Sequence, residues 1–169
     1  IKNDLFLLQN NANERSIAHR LAVYLEQEFK DYHVDCEYNL NMENKSLRKK
    51  IYLPGNEIIT FNRFSSSDDN EEEPRDFSIY PDIIIHQRGI NSRNLLIIEI
   101  KKSNSQRSDQ KDEIKLMHYT SPDEQLNYQY GAFIKFKIGN NRTKWYGYEL
   151  YSKGKKIKPL SNCHFKNNM

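Results

Sequence analysis

Two isoleucine-rich segments, joined by a short polar loop, constrain the fold of this chain most strongly. Ser78–His86 and Asn94–Lys101 each have the length and composition of a buried strand. Gln87–Arg93, which contains Gly89, joins them and predicts an antiparallel hairpin. Both segments are far shorter than the ~20 apolar residues of a membrane-spanning helix, so we expect no membrane association.

The remaining periodic segments predict helices and strands in mixed order. Apolar residues recur at helical spacing over Asn13–Phe29, and a second helix is expected over Ser108–Tyr119. This order predicts a mixed α/β protein with helices on one central sheet, and we expect one domain over residues 1–169. The further expected strands are Val34–Leu40, Tyr128–Ile138 and Lys144–Tyr151.

The charges are unevenly distributed along the chain. An acidic run over about residues 65–76 predicts a surface loop. Residues 131–169 carry nine Lys or Arg and one acid, so a basic hairpin and tail over about 128–169 could meet a polyanion. A solvated lysine-rich tail is the competing interpretation. The candidate phosphate contacts are Lys135, Lys137, Arg142 and Lys144.

The two cysteines bear on the cellular compartment. Cys36 and Cys163 form neither a CxxC pair nor a disulfide framework. Disulfides are rare in reducing compartments. We therefore expect a cytoplasmic protein.

Acidic residues interrupt the predicted hairpin where a buried strand should be apolar. If the loop is centred between Ile90 and Asn91, Asp82 lies opposite Glu99, and strand alternation puts Lys101 on the face of Glu99. Two opposed carboxylates repel each other, and a divalent cation such as Mg²⁺ or Mn²⁺ would relieve the conflict. A salt bridge from Lys101 to either acid is the simpler alternative.

A third acid, Glu14, continues the apolar stripe of the first predicted helix. A charge at a core-facing position is costly, and a position inside a metal site would explain it. The alternative is a capping box with Asn11 as the N-cap residue and Glu14 at the third helical position.

Pro81-Asp82, followed by Glu99-Ile100-Lys101 on the next predicted strand and preceded by Glu14 on a helix, resembles the PD-(D/E)xK nuclease superfamily, in particular its small stand-alone bacterial members. The resemblance covers most of residues 13–138 apart from the acidic insertion. It implies a restriction-endonuclease-like fold: an α-β-β-β-α-β core with a mixed central sheet flanked by helices. Two runs carry it most clearly: Asn13–Leu21 and Tyr80–Ser103.

The resemblance also implies roles for individual residues. Asp82 and Glu99 would bind Mg²⁺, or alternatively Mn²⁺, together with the backbone carbonyl of Ile100. Glu14 would contact metal-bound water or a second ion. Lys101 would orient the attacking water and hold the scissile phosphate. Lys115, on the second helix, is the candidate for an accessory polar residue, and a solvated surface lysine is its alternative.

The implied activity is metal-dependent hydrolysis of phosphodiester bonds, with DNA favoured over RNA as the substrate. One alternative is a nucleic-acid-binding module on the same fold that does not cleave. Another is an accessory interaction subunit of a defence or repair system. A homodimer and a protein partner both stay open at this point.

Overall fold

A six-stranded mixed sheet organises the chain in the computed structural model, which describes residues 4–40, 49–54, 57, 75–78, 80–106, 108–139 and 145–164. The helices are α1 (Leu5–Gln9), α2 (Glu14–Glu28) and α3 (Gln110–Thr120). The strands are β1 (His33–Cys36), β2 (Lys50–Leu53), β3 (Arg75–Ser78), β4 (Ile83–His86), β5 (Leu96–Lys102), β6 (Tyr130–Phe136), β7 (Trp145–Ser152) and β8 (Lys155–His164).

The strand order in the main sheet is β1-β4-β5-β6-β7-β8, and β2 and β3 form a separate two-stranded sheet. β5 and β6 run parallel, whereas the other paired neighbours run antiparallel. A parallel pair needs a crossover, and α3 lies within the connection from β5 to β6. The predicted mixed α/β class is confirmed.

The register predicted for the isoleucine-rich hairpin is confirmed. Ile84 pairs with Ile97, and the flanking pairs keep the same register from Ile83–Ile98 to Ile85–Leu96. Alternation then sends successive side chains to opposite faces of the sheet. All of the β4 side chains are buried, because helices cover both faces.

Each face of the sheet packs on its own helix. Ile83, Ile98 and Ile100 belong to one apolar cluster with Ile17 and Ala18 of α2. The opposite face packs on α3, where the cluster contains these residues: Ile84, Ile97, Phe133, Ile114, Leu116 and Tyr119, with Ile51 and Leu53 of β2. Residues of β5 therefore alternate between the α2 face and the α3 face, which decides where Glu99 and Lys101 point.

The start of α2 corrects one prediction. The N-cap residue is Asn13, whose side chain accepts a hydrogen bond from the Ser16 N–H at 2.7 Å. Glu14 is consequently the first residue of the helix. The alternative in which Asn11 caps the helix and Glu14 completes a capping box is wrong, because the helix begins two residues later than that pattern requires.

Several strand boundaries differ from those predicted. Ser78 ends β3 in the separate small sheet, so Pro81 and Asp82 precede β4 rather than lie within one long strand. Proline has no N–H to donate to a ladder, which favours a break there. The strand expected over Val34–Leu40 ends at Cys36. Three further elements of the structure, α1, β2 and β8, were not predicted from the sequence.

Part of the predicted acidic loop lies outside the described residues, namely 65–74. Its last two positions, Arg75 and Asp76, belong to β3. Within the described ranges, none of the helices combines the length and apolar character needed to span a bilayer.

Candidate functional site

Two carboxylates bind the edge of β5 where its pairing with β4 stops. The ladder between these strands ends at Ile83 and Ile98, whereas β5 continues to Lys102. The Ile100 N–H donates to Asp82 Oδ2 at 2.7 Å, and the Lys102 N–H donates to Glu14 Oε1 at 2.9 Å. The two side chains thus satisfy backbone donors that a longer β4 would have satisfied.

Ile100 offers a further polar group on the same edge. A strand residue directs its N–H and C=O to the same neighbour, as in the paired bonds of an antiparallel ladder. Because the Ile100 N–H meets Asp82, the Ile100 carbonyl points to that same side. Asp82 and this carbonyl are therefore on the same edge of β5, and their joint role as metal ligands stays a prediction.

Glu99 and Lys101 project from the α3 face of β5 and are both buried. The Tyr119 hydroxyl donates to Glu99 Oε1 at 3.3 Å. The same carboxylate oxygen lies 3.4 Å from the Lys115 Nζ. The predicted accessory lysine therefore contacts Glu99 directly.

Asp112 joins the two lysines and was missed by the sequence analysis. Its Oδ2 accepts from Lys101 Nζ at 2.6 Å, and its Oδ1 accepts from Lys115 Nζ at 3.0 Å. Lys101 also donates to the Ser108 carbonyl at 2.8 Å. The three-residue spacing of Asp112 and Lys115 on a predicted helix was the available signal. We call Asp82, Glu99, Lys101, Asp112 and Lys115 the carboxylate site.

The carboxylates of this site differ in their electrostatic state. Burial raises the pKa of Asp82 to about 6, although the Ile100 N–H and Lys115 oppose the rise. Burial likewise raises the pKa of Glu99, and the charge of Asp82 adds to the rise. Burial has the same tendency at Asp112, but Lys115 and Lys101 outweigh it and lower the pKa of that carboxyl.

The donor set suits a hard divalent cation. Carboxylate and carbonyl oxygens are the ligands that Mg²⁺ prefers. Burial raises the pKa of both Asp82 and Glu99, and a bound cation would favour the charged form of each carboxyl group. Within the described part of the chain, no group of three or more His, Cys, Asp or Glu side chains is arranged to hold a metal ion. A metal would thus rely on two carboxylates and the backbone carbonyl.

Glu14 lies at the edge of this arrangement. Its charge raises the pKa of Asp82, while its Oε1 is occupied by the Lys102 N–H. The contact gives Glu14 a structural role at the β5 edge.

The predicted phosphate contacts are only partly within the described residues. Lys135 is followed by Lys137 just beyond β6, and Lys135 donates to Asp109 at 2.7 Å. Lys156 of β8 is likewise paired with Glu113 of α3 at 3.2 Å. Arg142 and Lys144 lie outside the described residues. Part of the expected basic surface is thus neutralised by acids at the start of α3.

A second polar cluster lies on the α3 face near the other end of β4. Asp35 Oδ2 lies 2.9 Å from His86 Nε2 and accepts from Arg88 Nε at 2.8 Å. Arg88 also donates to Asp35 Oδ1. We call Asp35, His86 and Arg88 the histidine cluster. Nearby, the buried Lys49 donates to the Tyr128 hydroxyl at 2.5 Å.

Comparison of the chain with protein-family models, curated proteins and solved structures finds no match. Functional inference therefore rests on the geometry of the carboxylate site.

Proposed function

We propose that this chain is a metal-dependent nuclease that hydrolyses phosphodiester bonds, with DNA as the favoured substrate. The observation that carries the proposal is the carboxylate pair formed by the buried Glu99 and the half-buried Asp82, beside two lysines and a backbone carbonyl. Such an arrangement costs stability without a ligand, and perturbed carboxyl groups concentrate at functional sites. The basic C-terminal segment of the sequence, residues 131–169, suits a polyanionic substrate.

The order of the elements supports the finer fold assignment. From α2 onward, the core reads α2-β1-β4-β5-α3-β6 once the small β2–β3 sheet is set aside. This order agrees with the expected α-β-β-β-α-β core of a restriction-endonuclease-like fold. Among the described strands, the one parallel pair is β5 and β6, and the second helix of that core lies in the connection between them.

Different residues of the chain would bind the metal and orient its ligands in the proposed reaction. Asp82, Glu99 and the Ile100 carbonyl would hold Mg²⁺ or Mn²⁺, with Glu14 within reach of a metal-bound water. When bound, the ion supplies a nucleophile at neutral pH and compensates charge on the phosphate oxygens. The Ile100 N–H orients Asp82, and the Tyr119 hydroxyl orients Glu99.

Lys101 supplies positive charge to the substrate in this proposal. Its ammonium group would donate to a phosphate oxygen while the water oxygen attacks phosphorus and the bond to the leaving oxygen breaks. A proton from the attacking water ends on the leaving oxygen or in solvent. Because Lys101 now donates to Asp112 and to the Ser108 carbonyl, substrate must draw on its remaining N–H or displace one partner.

The engagement of Lys101 also favours a second candidate, a nucleic-acid-binding module that does not cleave. A lysine held by two protein acceptors contributes to stability without any substrate. In this candidate, the carboxylate site would be a structural ion-pair network, and the basic C-terminal segment would provide the contacts to nucleic acid.

The test is metal-dependent cleavage by the purified protein. Plasmid, single-stranded DNA and RNA are each incubated with Mg²⁺, Mn²⁺ or EDTA. We expect cleavage that requires the metal and falls by about 10²–10³-fold or more in Glu99→Gln, because that substitution removes a charged ligand of the metal that would stabilise the transition state. Glu149→Gln is the matched control, since Glu149 is also a buried acid on the α3 face but bonds to Tyr151.

Cleavage in EDTA, or equal activity of Glu99→Gln and wild type, would reject the nuclease proposal. Binding of nucleic acid without cleavage of any substrate would support the second candidate. A metal-induced rise in melting temperature that Glu99→Gln abolishes would show that the site binds metal even in that case.

A further inference from the structure

Lys115 lies between two carboxylates that face each other across the carboxylate site. Its Nζ is 3.4 Å from Glu99 Oε1 and 3.0 Å from Asp112 Oδ1. The Glu99 side chain is only 4% exposed, and that of Lys115 is 18% exposed. Lys115 is therefore the more exposed member of this ion pair.

We infer that Lys115 is an internal stand-in for the metal ion: its ammonium group neutralises Glu99 when no metal is bound and transfers fully to Asp112 when a divalent cation takes Glu99. The inference rests on the metal-binding role given to Asp82 and Glu99 in the proposed function. It assigns Lys115 a regulatory role in metal occupancy, which differs from a phosphate contact.

The geometry gives Lys115 an acceptor on each side. Asp112 Oδ1 is already the nearer of its two carboxylate partners, so the transfer breaks only the longer contact. Lys101 occupies the other oxygen of Asp112 and holds that carboxylate in place. Lys115 can thus leave Glu99 to an incoming cation and keep its contact with Asp112, so that no buried charge is left unpaired.

The position of Lys115 predicts competition with the metal. An ammonium group a few ångströms from a cation site repels the incoming ion, and the repulsion is strong where water is partly excluded. Removal of the lysine charge should therefore strengthen metal binding, whereas removal of a metal ligand should weaken it. The direction of the change in metal affinity therefore distinguishes a stand-in cation from a residue that helps to hold the metal.

The experiment measures Mn²⁺ binding directly, by calorimetry or by the loss of the free-ion EPR signal, without any nucleic acid. We expect Lys115→Met to lower the Kd for Mn²⁺ by about tenfold or more relative to wild type. Lys115→Arg, which keeps the charge, should stay near the wild-type Kd. Lys115→Gln repeats the charge removal with a polar side chain in case methionine disturbs the packing.

Lys135→Met is the matched control. Lys135 lies opposite Lys101 on the adjacent strand β6 and also pairs with an acid of the α3 region, Asp109 at 2.7 Å. It loses the same charge but has no contact with Glu99 among the described ion pairs. We expect its effect on the Mn²⁺ Kd to be several-fold smaller than that of Lys115→Met.

An unchanged or higher Kd in both Lys115→Met and Lys115→Gln would overturn the inference. It would also be overturned if none of these proteins bound Mn²⁺ at millimolar concentration. Tighter Mn²⁺ binding by the lysine variants, together with no cleavage of any nucleic acid, would uphold the inference and reject the nuclease activity. The two proposals can therefore fail separately.

Discussion

The carboxylate site and the histidine cluster lie on the same face of one sheet, yet Asp82 of the first and Asp35 of the second have pKa values shifted in opposite directions. In the histidine cluster, burial opposes ionisation of Asp35, but hydrogen bonds from Arg88 and His86 outweigh it and lower the pKa of Asp35. In the carboxylate site, burial prevails and raises the pKa of Asp82 to about 6. In the histidine cluster, protein donors satisfy the acid, whereas the carboxylate site places three carboxylates beside two lysines.

This difference is the reason that we propose the carboxylate site, and not the histidine cluster, as the site for a ligand. A buried acid with enough donors contributes to stability, and its removal leaves those donors unpaired. A buried acid without enough donors costs stability, and such a group persists when function requires it. Substitution of one acid in each cluster should therefore change stability in opposite directions.

The largest expected effect is a loss of stability in Asp35→Ala. This substitution leaves His86 and Arg88 without their shared acceptor, and we expect the free energy of unfolding to fall by about 3 kcal/mol. Urea unfolding monitored by circular dichroism measures the change. The control is Glu37→Ala, which breaks an exposed ion pair with Arg15 and should cost less than about 0.5 kcal/mol. Equal losses in the two variants would contradict the structural role of the histidine cluster.

A smaller change of opposite sign is expected in Glu99→Gln. Because burial raises the pKa of Glu99, the folded state takes up a proton that the unfolded state releases, and stability falls as the pH rises through that interval. Glutamine avoids this cost, so the variant should gain about 2 kcal/mol near pH 8 in EDTA, an amount reduced by the lost contact with Lys115.

The gain in Glu99→Gln should shrink toward pH 5, where the wild-type carboxyl is protonated in the folded protein. Urea unfolding at both pH values tests this dependence. A variant less stable than wild type at both values would show that Glu99 is a structural ion-pair partner of Lys115, and the contrast between the clusters would disappear.

The sequence predicted the carboxylate site as far as local rules extend. Isoleucine runs and a short loop determine the hairpin register, and register together with alternation brings Asp82, Glu99 and Lys101 to one end of the hairpin. Asp112 could not be identified in the same way. Its contact with Lys101 depends on how α3 packs on the sheet, and the helical pattern around Asp112 and Lys115 does not encode that rotation.

The histidine cluster also could not be predicted from local sequence patterns. Asp35 and His86 are far apart in the sequence and meet only because β1 pairs with β4, where His33 is opposite His86. The segment from Ser78 to His86 has the composition of one continuous strand. In the structure, however, the chain is interrupted around Pro81, so that Ser78 belongs to the small sheet and Ile83–His86 to the main sheet. Pairing between distant strands cannot be determined from the composition of either strand.

The smallest predicted effect is the change with pH in the folding stability that His86 and Asp82 contribute. Burial lowers the pKa of His86 below its ordinary 6.5 even though Asp35 opposes the shift. The unfolded state then binds more protons than the folded state near that pH, so this histidine costs stability as the pH falls. Asp82 has the reverse dependence: its folded pKa of about 6 exceeds the ordinary 3.8, so its cost appears as the pH rises.

Asp82→Asn and His86→Gln separate these opposing contributions. From about pH 5 to about pH 7.5, the stability of Asp82→Asn relative to wild type should increase, whereas that of His86→Gln should decrease. Each change should be smaller than the one expected for Glu99→Gln, since Asp82 keeps a backbone donor from Ile100 and His86 keeps Asp35. Urea unfolding in EDTA at the two pH values gives both differences. If the relative stability of both variants changed in the same direction with pH, burial would affect the two clusters in the same way. The proposed distinction between a cluster satisfied by protein donors and a ligand site would then be wrong.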